Sequence, residues 1–291
     1  MTEPSENYFG DGETRLCYFE WGNPDGQVIL LLHATGFHAR CWDKVVAELP
    51  QDHRIIAVDL LGHGRSSKPD SLADWSKTAE PLAGLVEELD LTNIIGAGHS
   101  MGGHCLVQLS ARMGERFARL VLIDPVVMDP SYYKNAPKPE DIDPSENPIA
   151  RRRSQWDSPK QMFERLKDHP SYGLWQTDVL MDYCKHALLP LEEGGYELAC
   201  PGHLEASVYM GSMCLDPYPL VAQIDNPVTI LRAPRIEEGG GMDFTKSPTW
   251  PGLAKAFSSA REIYLPDLTH FMPMQDPHRI AGYISGTIEP T

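Results

Sequence analysis

Short, unbroken apolar runs separated by helix-length stretches constrain the fold of this chain more than any other sequence feature. Four such runs, rich in Val, Ile and Leu, occupy residues 28–33, 55–59, 94–98 and 120–124. Runs without polar alternation are typical of strands covered on both faces, as in a parallel sheet. Helices are predicted between them at residues 75–89 and 101–113. The alternation of strand and helix predicts a doubly wound α/β sheet.

This rhythm changes after Pro125. Residues 128–220 are polar and punctuated by Pro, with many aromatic residues among predicted short helices. Strands resume at residues 227–231 and 262–265, and a last helix is predicted at residues 278–284. We therefore predict a core formed by residues 1–127 and 221–291, with an inserted helical cap at residues 128–220.

Composition excludes several classes of partner. The chain has 291 residues, of which 42% are hydrophobic, and a formal net charge of -16. Because nucleic-acid binding depends on Lys and Arg, this acidic balance argues against DNA or RNA. No stretch reaches the ~18 apolar residues of a membrane span, and the start lacks the pattern of a signal peptide. The sequence does not indicate an oligomeric state.

The six cysteines are scattered and form neither a C-x-x-C motif nor a metal-like group with His. We interpret them as reduced, mostly buried thiols, which predicts a cytoplasmic protein. No Gly-rich phosphate loop is present, so the sequence predicts neither a cofactor nor a metal ion.

A G-x-S-x-G motif ends the apolar run at residues 94–98 and opens the helix predicted at residues 101–113. A nucleophile in such a turn needs an exposed hydroxyl, and flanking glycines allow the strand and helix to approach closely. This strand-turn-helix context, the nucleophile elbow, therefore predicts that Ser100 is a nucleophile.

A serine hydroxyl needs a base that accepts its proton. His270 follows the last predicted strand and precedes the terminal helix, where a loop would lie above the carboxyl edge of the sheet. The chain order, serine before histidine, suits this architecture. We predict His270 as the base, and we expect His33, His63 and His99 to support the site.

The loop after the first apolar run reads His-Ala-Thr-Gly-Phe at residues 33–37. Two backbone N–H groups are needed to hold the oxyanion of a tetrahedral intermediate. We assign them to Thr35 by position and to Met101, which follows the nucleophile. The N–H of Ala34 or Gly36 is an alternative to that of Thr35.

Together these features resemble the α/β-hydrolase superfamily, in particular its capped serine esterases and lactonases. The resemblance rests on four segments: the loop at residues 33–36, Asp-Leu-Leu-Gly-His-Gly-Arg-Ser at residues 59–66, the motif around Ser100, and Thr-His-Phe at residues 269–271. It implies an α/β-hydrolase fold with a mostly parallel, doubly wound sheet and an inserted helical cap. The Gly-His-Gly-Arg-Ser run at residues 62–66 is interpreted as scaffold.

The family commonly carries its triad acid a few residues past the strand predicted at residues 227–231, but no Asp lies near Ile236. A subset of the family carries the acid at the end of the preceding strand instead. Asp124 lies there, and a carboxylate beside the elbow is suited to orienting the imidazole. The resemblance therefore favours Asp124, and the alternatives are Glu237, Glu238 and Asp243.

With Ser at the elbow, the resemblance implies acyl transfer to the enzyme and then to water. The expected substrate is a small-molecule carboxylic ester or lactone that is mid-sized and partly apolar. The alternatives are a carbon-carbon bond hydrolase or lyase on the same triad, and a ligand receptor without catalysis. Candidate substrate contacts in the cap are Trp156, Trp175, Tyr209 and Met213, whereas the run at residues 151–153 (Arg-Arg-Arg) is interpreted as a solvated face.

Overall fold

A mixed sheet of eight strands forms the centre of the molecule. The computed structural model describes residues 3–235 and 243–288. The strands of this sheet are β1 (Ser5–Phe9), β2 (Leu16–Gly22), β3 (Val28–Leu32), β4 (Arg54–Asp59), β5 (Ile94–His99), β6 (Phe117–Ile123), β10 (Val228–Arg232) and β11 (Ala260–Tyr264). Their spatial order is β1-β2-β4-β3-β5-β6-β10-β11.

Five of the neighbouring pairs, from β4-β3 to β10-β11, are parallel, whereas β1-β2 and β2-β4 are antiparallel. The predicted doubly wound, mostly parallel sheet is therefore confirmed. The sequence analysis did not predict β1 and β2. Strand β1 is an edge strand without a buried residue, so it lacks the apolar run that marks the central strands.

Helices cover both faces of the sheet. In the described residues, the α-helices outside the segment between β6 and β10 are α1 (Asp43–Glu48), α2 (Ala79–Glu88), α3 (Met101–Met113), α8 (Met272–Gln275) and α9 (Pro277–Ser285). One apolar cluster joins α2 and α3 to one face, and a second joins α1 and α9 to the other. The unbroken apolar strands are explained by this double coverage.

The segment between β6 and β10 contains more than the predicted helices. It begins with four short 3-10 helices and continues with α4 (Pro159–Leu166), α5 (Thr177–His186), α6 (Gly202–Gly211) and α7 (Tyr218–Val221). Strands β7 (Gln155–Trp156), β8 (Leu188–Pro190) and β9 (Tyr196–Leu198) form a separate antiparallel sheet. The sequence analysis predicted helices in this segment but not this small sheet, because strands of two or three residues are too short to show a periodic pattern.

Among the helices of residues 3–235 and 243–288, none combines the length and the apolar character that a membrane span requires. All six cysteines are free thiols, and five of them are buried, as the sequence analysis predicted.

Candidate active site

Ser100 lies in a strained turn between β5 and α3. Its backbone has φ 57° and ψ -115°, and its N–H donates to the carbonyl of Ile123 at 3.0 Å. A non-glycine residue with positive φ is uncommon and costs on the order of 1–3 kcal/mol, so it persists only where the surrounding structure enforces it. This turn places the Ser100 side chain at the carboxyl edge of the sheet, directly after β5.

Two glycines allow this turn to pack tightly. A Cβ added at Gly98 would lie 2.4 Å from the Gly102 carbonyl oxygen, and one added at Gly102 would lie 2.2 Å from the Leu32 carbonyl oxygen. Neither contact is possible for a real side chain. Helix α3 therefore approaches β3 and β5 only because both positions are glycine.

The structure brings three of the predicted residues together in one hydrogen-bonded chain. His270 Nε2 lies 3.0 Å from Ser100 Oγ, and His270 Nδ1 lies 2.6 Å from Asp124 Oδ2. Asp124 follows β6 and is fully buried, while His270 lies in the loop after β11 and is nearly buried. This arrangement can pass a proton from the hydroxyl to the imidazole.

The other Asp124 oxygen has two donors that the sequence analysis missed. The Ala233 N–H donates to Oδ1 at 3.0 Å, and the Ser247 hydroxyl donates to the same oxygen at 2.6 Å. Ala233 directly follows β10, the strand after which the family commonly carries its acid. No local motif marks Ser247, because its partner lies 123 residues away along the chain.

Buried neutral histidines support the site. Burial lowers the pKa of His33 and His99 well below the usual value of 6.5. His99 Nε2–H donates to the His270 carbonyl at 2.7 Å. His33 accepts the Leu60 N–H at Nε2 and donates from Nδ1 to the Ala34 carbonyl, at 2.9 and 2.8 Å. Each ring is thus held in one tautomer.

Thr35 and Met101, which the sequence analysis predicted as oxyanion donors, both lie beside Ser100. Thr35 follows β3 in a buried loop and lines the same cavity as Ser100, and Met101 is the first residue of α3. Within residues 3–235 and 243–288, neither backbone N–H has a protein acceptor. The first N–H groups of a helix also favour negative charge.

A cavity of about 200 Å³ opens above Ser100 and His270. Apolar and polar side chains share its lining, and Tyr209 is the one predicted cap contact among them. The lining residues are Thr35, Trp75, Ser100, Val126, Met128, Tyr209, Ser212, Asp243, Phe244, Lys246, Ser247, Pro248 and His270.

Trp156 and Trp175 do not line this cavity. Both are buried in a separate apolar cluster, where the Trp175 ring packs against Phe37 and Phe271 at centroid distances of 5.2 and 5.5 Å. Their role in the structure is packing. The sequence pattern does not distinguish a buried aromatic side chain from one that lines a cavity. Met213 is likewise absent from the lining of this cavity in the described part of the chain.

Of the three alternative triad acids, only Asp243 lies within the described residues. Asp243 lines the cavity mouth, is exposed, and accepts hydrogen bonds from the N–H and hydroxyl of Thr245 at 2.9 and 2.7 Å. Glu237 and Glu238 lie outside the described residues. Of the carboxylates in residues 3–235 and 243–288, Asp124 is the one hydrogen-bonded to His270.

Arg152 is not part of a solvated face. Its guanidinium forms an ion pair with the buried carboxylate of Glu205 on α6, and the neighbouring charge raises the pKa of Arg152 against the opposing effect of burial. A Cβ at Gly36 would lie 2.4 Å from Glu205 Oε1. The pair therefore packs directly on the loop that carries Thr35.

No group of three or more His, Cys, Asp or Glu side chains suited to a metal ion occurs in the described ranges.

A family model described as "Alpha/beta hydrolase family" matches residues 29–282. Lipase LipV of Mycobacterium tuberculosis is 25% identical over 272 residues, which cover 90% of this chain and 93% of the lipase. A non-heme chloroperoxidase of Burkholderia pyrrocinia is 32% identical over 162 residues, covering 54% of this chain and 57% of the relative. Several other curated relatives match over shorter segments, down to 29% of their length.

Solved structures of similar fold cover nearly the whole chain. E-2-(acetamidomethylene)succinate hydrolase matches with a TM-score of 0.75 at 19% identity, covering 97% of this chain and 98% of that one. The enol-lactonase from Burkholderia xenovorans LB400 matches with a TM-score of 0.65 at 18% identity, covering 96% and 98%. At such identities the likeness shows the shared fold alone, which agrees with the α/β-hydrolase fold that the sequence predicted.

Buried histidines make the stability of this protein sensitive to acid. Burial lowers the pKa of both His63 and His104 to about 4, below the 6.5 expected in the unfolded chain. The unfolded state therefore binds more protons, and stability present above pH 6.5 is lost as the pH falls towards 4. The loss is roughly 1.4 kcal/mol per histidine for each pH unit.

We expect urea unfolding to give a lower free energy of unfolding at pH 5 than at pH 7.5. His104→Gln, which cannot titrate at this position, should reduce that difference by about 2 kcal/mol. An unfolding free energy that is equal or higher at pH 5 would contradict this interpretation.

Glu205→Gln should destabilise the protein by roughly 3 kcal/mol, because removing one partner of a buried ion pair leaves the other charge uncompensated. Urea unfolding at pH 7.5 measures this loss. Glu164→Gln is the matched control, since its partner Lys167 is exposed and such surface pairs contribute little. Equal stability of the two variants would show that the Arg152 pair is energetically unimportant.

Proposed function

Because the chain belongs to the alpha/beta hydrolase family, we propose that it is a serine hydrolase that cleaves a carboxylic ester or a lactone through an acyl-enzyme. Ser100 is the nucleophile, His270 is the general base, and Asp124 orients the imidazole. The observation that carries this proposal is the continuous hydrogen-bonded chain from Ser100 Oγ through His270 to the buried Asp124 carboxylate, at 3.0 and 2.6 Å.

In the first half-reaction, Ser100 Oγ attacks the substrate carbonyl carbon while His270 Nε2 takes the hydroxyl proton. The carbonyl oxygen becomes an oxyanion, which accepts hydrogen bonds from the N–H groups of Thr35 and Met101. Collapse of this intermediate breaks the bond to the leaving oxygen, which receives the proton from His270. The acyl group then remains on Ser100 as an ester.

In the second half-reaction, water attacks the acyl carbon and His270 accepts one of its protons. The new tetrahedral intermediate expels Ser100 Oγ, which recovers its proton from His270, and the carboxylic acid leaves. The Asp124 carboxylate stabilises the imidazolium that forms in each half-reaction. A lactone, as a cyclic ester, reacts by the same steps and yields a hydroxy acid.

The cavity favours a small acyl group. Its volume of about 200 Å³ is below the range of roughly 300–1,000 Å³ that is usual for drug-sized ligands. Trp75, Val126 and Met128 give it an apolar part, which suits a short alkyl chain. We propose that residues 128–220 act as a cap on the core of residues 1–127 and 221–291, with Tyr209 of this cap limiting acyl length. The free thiols are consistent with a cytoplasmic location, which we include in the proposal.

Hydrolysis of p-nitrophenyl acetate tests the roles of Ser100 and Asp124. We expect Ser100→Ala to lose about 10⁴-fold or more in kcat and to lose labelling by a fluorophosphonate, because the nucleophile is gone. Asp124→Asn should lower kcat by about 10³-fold or more, since the amide no longer holds the correct imidazole tautomer.

Ser110→Ala is the matched control, because this buried serine lies far along α3 and bonds to Asn226. A wild-type protein that is neither labelled nor active would refute the proposed function. If Asp124→Asn alone kept full activity, the acid would instead be Asp243, Glu237 or Glu238.

Acyl-chain length tests the size of the cavity. We expect kcat/KM for p-nitrophenyl acetate or butyrate to exceed that for the decanoate by roughly 10-fold or more, because the longer chain does not fit. Tyr209→Ala should enlarge the cavity and therefore lower this ratio of short-chain to decanoate kcat/KM. The exposed Tyr132, which is outside the lining, supplies the control Tyr132→Ala. A preference for the decanoate in the wild type would contradict the assignment of a short acyl pocket.

A further inference from the structure

The two oxygens of Asp124 have separate partners. Oδ2 accepts from His270 Nδ1, and Oδ1 accepts from the Ala233 N–H and the Ser247 hydroxyl. The carboxylate is fully buried, so these contacts replace water as its source of hydrogen bonds. Both Oδ1 donors lie in the chain that follows β10. That part of the molecule therefore supplies donors to the acid.

The Ser247 hydroxyl is itself held in one orientation. Its oxygen accepts the Thr249 N–H at 3.1 Å, and the backbone N–H of Ser247 donates to the Pro234 carbonyl at 2.9 Å. Thr249 Oγ1 donates in turn to the Pro125 carbonyl at 2.7 Å, next to Asp124. Since the Ser247 oxygen already accepts one hydrogen bond, its own proton is directed at Asp124 Oδ1.

We propose that Ser247, which also lines the cavity above Ser100, is a positioning residue for the hydrolytic reaction and acts through Asp124 and His270. This inference rests on the proposed function, because it assigns Ser247 a part in the same site. By binding Oδ1, the hydroxyl fixes the rotation of the carboxylate and reserves Oδ2 for the imidazole. Small errors in such orientations are costly in catalysis.

Ser247 also moderates the charge of Asp124. The positive end of the hydroxyl dipole points at the carboxylate and offsets part of its negative charge. Without it, Asp124 would hold the imidazolium form of His270 more strongly, and a higher pH would be needed to free the base. His270 is also faced by the His99 ring at a centroid distance of 4.9 Å, which burial keeps neutral.

The test compares Ser247→Ala, Ser247→Thr and Ser110→Ala in the full chain, with kcat and KM for p-nitrophenyl acetate measured from pH 5.5 to 9. We expect Ser247→Ala to lower kcat roughly 10- to 100-fold with little change in KM. The acid limb of its kcat profile should move to higher pH. Ser247→Thr keeps the hydroxyl and should recover much of the loss, and Ser110→Ala should retain the wild-type profile.

Thermal unfolding of each variant separates positioning from a merely structural role. If Ser247→Ala lowers Tm but keeps the wild-type kcat and pH profile, the inference is overturned. It is also overturned if Ser247→Thr unfolds like the wild type yet stays as impaired as Ser247→Ala. Should Ser247→Ala fail to fold, Ser247→Cys has nearly the same shape but a weaker donor, and the same loss and shift are expected.

Failure of the proposed function has a different signature. In that case the wild type is not labelled by the fluorophosphonate, or Ser100→Ala retains its activity. If Ser100→Ala and Asp124→Asn lose activity while Ser247→Ala does not, the hydrolase assignment stands and the role of Ser247 alone is refuted.

Discussion

Close packing of α3 against β3 and β5 is the constraint on which the rest of the site depends. It requires glycine at positions 98 and 102, where any side chain would overlap a backbone oxygen. It also forces Ser100 into a positive φ that the neighbouring elements must maintain. Because the helix begins directly after this turn, the hydroxyl of Ser100 and the N–H of Met101 have a fixed relation to each other.

The second requirement is that buried polar groups around Ser100 have partners. Asp124 is a fully buried carboxylate, and such a group is tolerated only when hydrogen bonds replace its hydration. It has one imidazole, one hydroxyl and one backbone N–H as partners. His33 and His99 add neutral rings that hold adjacent backbone carbonyls. Fixed dipoles of this kind can stabilise charge that develops during a reaction, because they do not have to reorient as the charge forms.

Local patterns predicted the central strands, the helix at α3 and the site around Ser100, because each has a strong signal within a few residues. They missed β1, which is an edge strand without a buried residue, and the very short strands β7, β8 and β9. They also missed β2, in which polar Glu20 interrupts the apolar residues. They also misjudged side chains whose surroundings come from distant chain segments. Trp175 packs in a core cluster, although the sequence analysis proposed it as a substrate contact. Arg152 is paired with Glu205, although the sequence analysis placed it on a solvated face.

The sequence by itself determined the doubly wound sheet, the elbow and the identities of Ser100 and His270 as candidates, since these follow from apolar runs, glycine spacing and chain order. The tertiary structure decided which carboxylate meets His270, which donors hold that carboxylate and which side chains enclose the cavity. Those contacts join residues more than 100 positions apart. They exist because parallel strands end at one edge of the sheet, where the loops that follow them converge in a way that no local pattern encodes.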